Sequence, residues 1–159
     1  MSDSLSIEVR FSVYEHQPLR ELSVGECDVL LRRHRVGRVG IRNAEGVYVV
    51  PISFAYAHGH IYAHAAPGRK LALMRRWPHV AFQIDELESL SQWRSVLVQG
   101  KFEEITDEAE KQEARLILVA AFGGSLMQLT AGHGHRVSLA DAILFRIRPE
   151  EITGRAQGY

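Results

Sequence analysis

The chain has 159 residues, enough for one domain with a full hydrophobic core and few for two domains of ordinary size. Its hydrophobic content of 46% and charged content of 24% are those of a globular protein. Lys plus Arg and Asp plus Glu are 19 each, which leaves no net field to gather nucleic acid or an anionic membrane. The one cysteine excludes an intramolecular disulfide framework, and no apolar run approaches the ~20 residues that span a bilayer. The first residues lack the basic-then-apolar pattern of a secretion signal, so a cytoplasmic location is expected, with neither nucleic acid nor membrane as a partner.

Residues 1–18 are mixed and polar and read as an arm, with residues 19–159 as the domain. Ser23-Val24-Gly25-Glu26 is a capping box, in which hydroxyl and carboxylate each satisfy a backbone N–H at a helix start. Leu22, Val24, Cys27, Leu30 and Leu31 recur on one face of that helix, with Cys27 as a small buried hydrophobe rather than a nucleophile. Arg32, Arg33, His34 and Arg35 suit its negative end rather than a nucleic acid, and Gly37 is its expected stop.

Arg38–Ile41 alternates as a short strand, and Asn43–Gly46 is a turn. Val47–Tyr56 is a long strand and His58-Gly59 a second turn. In the returning strand His60–Ala65, Ile61 and Ala63 face one side while His60, Tyr62 and His64 face the other. Pro67 then opens a short helix with Leu71, Leu73, Met74 and Trp77 on its apolar side, which Pro78 ends. His79–Asp85 is a strand, Glu86–Gln92 an acidic connection, and Trp93–Ile105 a long strand that Gly100 should bend or bulge.

Asp107, with Glu110 three residues on, caps a second long helix. Ala114, Ile117, Leu118 and Ala121 form its apolar face, and Gly123-Gly124 ends it. Residues 125–140 carry no readable pattern. Ala142–Arg148 is the last strand, Pro149 closes it, and Glu151–Tyr159 reads as a surface tail. Six strands whose helices do not alternate with them predict a mainly β fold, a closed antiparallel sheet with helices packed outside.

Three kinds of chemistry compete for these residues. Pro67-Gly68-Arg69-Lys70 begins a helix directly after a strand, where first-turn N–H groups lack partners and two cations stand beside them. That is a phosphate cradle, with a solvated basic turn as the competing reading. Arg69 offers a planar fork, Lys70 a point charge, and Gly68 room for close approach. His58, His60 and His64 are clustered, and His133 and His135 form a second pair. His60 and His64, however, sit about 13 Å apart along a strand, and no Cys or acidic residue stands at a ligand's spacing, so no metal site is expected. A nucleophile elbow of the Gly-x-Ser-x-Gly kind does not occur. His64 differs from the other histidines in ending a strand just before the basic turn, where it would point into any site there.

The succession VVPISFAY, a short turn, IYAHAAPGRK, a helix ending at Trp77-Pro78, VAFQID and WRSVLVQGKFEEI resembles the pyridoxamine 5′-phosphate oxidase-like flavin-binding split barrels. It is most similar to the branch that includes nitroimidazole-resistance proteins and flavin-nucleotide-binding proteins, over residues 20–155. The resemblance implies a six-stranded split β-barrel that forms a homodimer with FMN at the subunit interface. It further implies that Val49, Val50, Pro51, Ile52 and Ser53 line the flavin ring, that His64, Ala65 and Ala66 border the ring and its ribityl chain, and that Gly68, Arg69 and Lys70 hold the phosphate. Trp93, Arg94 and Ser95 would come from the neighbouring subunit or complete the pocket.

Dianion site, apolar strand surface from Val50 and Ile52, and a donor from His64 together suit FMN. The expected function is an FMN-dependent oxidoreductase reducing a small acceptor such as a nitroaromatic compound, with His64 as the catalytic side chain. The alternatives are a non-catalytic flavin or haem carrier or sensor and, less suited to so few cations, a deazaflavin protein. The chain departs from the oxidase proper near its end, ITGRAQGY, where Arg155 is the only cation, so oxidation of pyridoxamine 5′-phosphate is not expected.

Overall fold

The computed structural model describes residues 18–123, 139 and 141–159. The arm (save Pro18), the His133 and His135 pair and nearly all of 125–140 lie outside the described residues.

In chain order the elements are β1 (Arg20–Glu21), α1 (Val24–Arg33), β2 (Val36–Asn43), β3 (Gly46–Ser53), β4 (Ala55–Ala57) and β5 (His60–Ala65). They continue with α2 (Arg69–Arg76), β6 (His79–Ser89), β7 (Gln92–Glu104), α3 (Glu108–Phe122) and β8 (Ile143–Gln157). The strands form one antiparallel sheet in the order β3-β2-β6-β7-β8-β5-β4, with β1 on the far half of β8. β3 and β4 are one chain run bent at Phe54, whose N–H donates to the Arg35 carbonyl instead of a ladder partner. The two ends of the strand order are therefore covalently joined, and six principal strands close into a split barrel. The single long strand expected over Val47–Tyr56 divides at this bend: β3 pairs with β2 and β4 with β5.

Alternation inside the strands sorts the core. Val39, Ile41, Phe54, Phe82, Val96, Val98, Phe145 and Ile147 are buried in one cluster with Leu30 and Leu31 of α1 and Leu71 and Met74 of α2. At roughly 1.5–3 kcal/mol for each fully buried large apolar side chain, this interior is the main source of stability. Outside the wall, α3 lays Ala114, Leu118 and Phe122 on Ala55, Tyr62 and Leu144 in a second cluster. The capping box at Ser23 forms as its spacing predicts, and the Asp107 carboxylate accepts from the Glu110 N–H. Cys27 is buried, whereas Val24 is 84% exposed and lies off the packed face.

Four further expectations differ from the structure. Helix α1 stops at His34, and Gly37 belongs to β2, where a Cβ would lie 2.3 Å from the Phe82 ring. The segment expected as an acidic connection extends β6 to Ser89 beyond the barrel, where no buried face imposes alternation. Pro149 does not end the last strand. It faces Gly100 at the register shift between Gln99 and Gly100, where a missing ladder donor is tolerated. The tail from Glu151 is therefore the second half of β8, paired with β7 and β1. Among the described residues, no helix is long and apolar enough to cross a membrane.

Candidate functional site at the start of helix α2

Strand β5 delivers the chain to α2 through Ala66-Pro67-Gly68. Gly68 is the N-cap residue, with extended backbone, and no side chain caps the helix there. The other two helices among the described residues are capped by their own side chains, Ser23 on α1 and Asp107 on α3. The first-turn N–H groups of α2 thus keep their partial positive charge without a side-chain acceptor.

Arg69, exposed, lays its guanidinium over the Tyr48 ring of β3, 4.7 Å from the centroid. Lys70 is half-buried, and burial lowers its pKa from the ordinary lysine value. His64, the fifth residue of β5, is also half-buried, and its Nδ1 is buried without a hydrogen-bond partner. Burial first, and then the Lys70 charge, hold the His64 pKa below the usual histidine value. Arg69 and Lys70 form a cationic rim with the neutral His64 imidazole behind it. A polyanion such as a phosphate ester fits it, since such a group offers acceptors to the N–H groups, the guanidinium fork and the ammonium together.

Of the residues expected to line a site, His64, Ala66, Gly68, Arg69 and Lys70 are brought together here. Ala65 is buried in the barrel core. The β3 block divides by strand alternation. Ile52 is buried in the core and Val50 packs against it, so neither offers its side chain as an open floor. Val49 and Pro51 face outward, and Ser53 is half-buried.

Trp93, Arg94 and Ser95 lie elsewhere. Tyr48, Ile41, Val80 and Gly100 are successive partners across β3, β2, β6 and β7. Trp93 is seven residues from Gly100 along β7, which puts it roughly 20 Å down the strands from the Tyr48 row. There it borders an open cleft of about 340 Å³ with Arg38, Gln83, Asp85 and Leu87. Ser95 Oγ accepts from Gln83 at 3.1 Å, and Trp93 Nε1 donates to Gln157 at 3.1 Å. Arg94 is held by Glu86 at 2.6 Å, a carboxylate that Arg33 also binds. Burial works to raise the Glu86 pKa, but these two guanidinium groups outweigh it and hold it below the usual value.

Tyr48 and Arg38 carry no site signal in the sequence, where each is only a strand residue. Tyr48 precedes Arg69 by 21 positions, and its in-phase spacing with Val50 marks only a strand face. Among the described residues no three His, Cys, Asp or Glu gather as metal ligands.

Comparison with known proteins agrees with this architecture. An FAD-binding protein from Mesorhizobium loti has a structure that matches with a TM-score of 0.76 at 33% identity, covering 88% of this chain and 99% of its own. An FAD-binding protein from Mycobacterium smegmatis shares the fold, with a TM-score of 0.63 at 24% identity, covering 87% and 98%. An uncharacterised protein from Rhizobium meliloti is 33% identical over 87 residues, 55% of this chain and 58% of that protein, so this chain matches little more than half of it. A family model described as pyridoxamine 5′-phosphate oxidase matches residues 23–156. That match runs from the cap of α1 nearly to the end of β8, and with it the chain belongs to the pyridoxamine 5′-phosphate oxidase family.

Proposed function

We propose that the chain binds a flavin nucleotide, FMN in the first instance, and serves as an oxidoreductase that reduces a small acceptor, a nitroaromatic compound among the candidates. The observation that carries this reading is the start of α2: uncapped N–H groups, Arg69 and Lys70 at the rim, and a buried, unpartnered His64 Nδ1. The Mesorhizobium loti relative, described as FAD-binding, supports a flavin in this barrel.

When bound, the flavin supplies the electron-transfer chemistry. The chain's part is positional and electrostatic. Arg69 and the α2 N–H groups bind the phosphate, and Lys70 adds charge. His64, neutral at pH 7, offers a hydrogen bond to the flavin or to the acceptor beside it. The outward side chains of β3, Val49 and Pro51, provide apolar surface along the ring, and its backbone offers polar groups to the ring's edge.

A second chain completes the site. Trp93–Ser95 cannot reach their own chain's α2. The outer face of β3-β2-β6-β7 carries exposed Val47, Val49, Pro51, Ala81 and Leu97, an apolar surface on which a homodimer can form. Between the two readings of that block, the neighbouring-subunit one fits the register. The protein is read as a cytoplasmic homodimer.

The test is to release any chromophore from the purified protein and identify it chromatographically, then titrate the parent and Arg69→Ala/Lys70→Ala with FMN and FAD. Bound flavin that is lost in the double variant is expected. A colourless protein that takes up neither nucleotide overturns the reading. For catalysis, anaerobically reduced protein mixed with a nitroaromatic compound should reoxidise faster than free reduced flavin, and more slowly in His64→Gln.

A further inference from the structure

Beyond the end of β8 the chain does not leave the surface. Gly158 takes φ 78°, and a Cβ there would lie 2.4 Å from the Ser91 carbonyl oxygen at the tip of the β6–β7 hairpin. Only glycine allows that close, left-handed crossing. Tyr159 then lies against Arg94, whose guanidinium is 4.1 Å from the ring centroid, while Arg20 Nε donates to the Tyr159 carbonyl at 3.0 Å. The Tyr159 hydroxyl lies beside Glu88 on the same hairpin, whose carboxylate raises its pKa. One register step earlier, Gln157 faces Trp93 across the β7–β8 ladder and accepts from its Nε1.

Trp93 and Arg94 are thus each held from the same three-residue segment. Arg94 has the Glu86 carboxylate on one side and the Tyr159 ring on the other. The hairpin extends past the barrel, where Leu87 and Leu90 are 65% and 90% exposed, so interior packing does not fix its attitude. Nothing in the flavin chemistry itself requires this strap.

We propose that Gln157–Tyr159 is a positioning element for the end of β7: Gln157 holds Trp93 directly, while Tyr159 with Arg94, on the other face of the strand, steadies the hairpin, so that Trp93 keeps the attitude in which it meets the flavin bound by the partner subunit. This rests on the two-chain flavin site proposed above. Tyr159 is a positioning residue: it acts through Arg94 and the hairpin, and touches neither flavin nor acceptor.

The test uses the full chain with Trp77→Phe, which leaves Trp93 as the sole tryptophan reporter. Tyr159→Ala and Tyr159→Phe are compared by Trp93 fluorescence anisotropy, by flavin affinity, by sedimentation and by urea midpoint. Expected for Tyr159→Ala are lower anisotropy and about tenfold weaker flavin binding, with an unchanged association state and a urea midpoint close to the parent's. Tyr159→Phe keeps the ring on Arg94 and should restore both readouts, which a loss of general stability would not do.

Parent-like anisotropy in Tyr159→Ala overturns the proposal, and so does a phenylalanine variant as weak as the alanine one. A parent chain that binds no flavin sinks the flavin reading instead. The anisotropy comparison then still decides whether Tyr159 steadies the hairpin that carries the tryptophan.

Discussion

The Arg69 guanidinium lies over the Tyr48 ring at 4.7 Å from its centroid, so the first residue of α2 is tied to the barrel strand that borders the candidate site. Arginine carries about 2 kcal/mol of rotamer entropy, and a ligand that must gather a free side chain bears that cost itself. Here the ring has already restricted the fork.

Replacing Tyr48 by Leu keeps the half-buried apolar contact and removes the ring face. A cation–π contact at such a site contributes about 0.5–1 kcal/mol, so flavin affinity should fall about two- to fivefold. Arg69→Ala should lose more, because it removes the charge-assisted bonds themselves, each about 1.5–3 kcal/mol. Fluorescence titration with FMN checks the order of the two variants. A Tyr48→Leu protein weaker than Arg69→Ala would mean that the ring acts on the fold and not on the fork.

Gly100 tests the barrel. It faces Pro149 at the shift in the β7–β8 ladder, and a Cβ there would lie 2.6 Å from the Arg148 carbonyl oxygen and 2.9 Å from an Ile147 methyl. The obstacle is backbone, which cannot swing aside as a flexible side chain could. Gly100→Ala should cost about 1–3 kcal/mol, as overpacking of a tight interior does. Gly25→Ala is the control, since nothing lies within 4 Å of a Cβ there and Ala suits a helix better. Urea unfolding of the two variants should give shifts of opposite sign.

Much of this architecture is legible in the residues because local signals and tertiary demands coincide. The Ser23 box, the Asp107 cap, the His58-Gly59 turn and the six alternating runs each state their structure within a few positions. What misleads is structure made from a distance. Pro149 looks like a stop, yet its partner across the ladder is Gly100, and only that pairing makes the bulge that admits it. Gly37 looks like a helix end, yet it is small because the Phe82 ring occupies the space above it. In the site, the Gly68-Arg69-Lys70 turn is contiguous and readable. Tyr48 joins it only through the closure of β3 beside α2, and the separation of Trp93 from it appears only once the register is known.

His64 supplies the pH dependence. Its folded-state pKa is depressed by burial and by Lys70, so on acidification the unfolded chain takes up the proton first. The stability this group allows is therefore present above the unfolded histidine value, about 6.5, and is lost as pH falls below it. The urea midpoint should decline between pH 7.5 and 5.5, and less steeply in His64→Gln, which cannot be protonated. Lys70→Met removes a half-buried charge whose own pKa burial lowers. It should raise the urea midpoint of the ligand-free chain at pH 7 while weakening flavin binding, because the ammonium is unfavourable to bury until a phosphate faces it. It should also flatten the acid limb partly, since the charge that disfavours a second cation at His64 is gone. A Lys70→Met chain that is less stable and binds flavin as tightly as the parent would assign Lys70 to packing and remove it from the cradle.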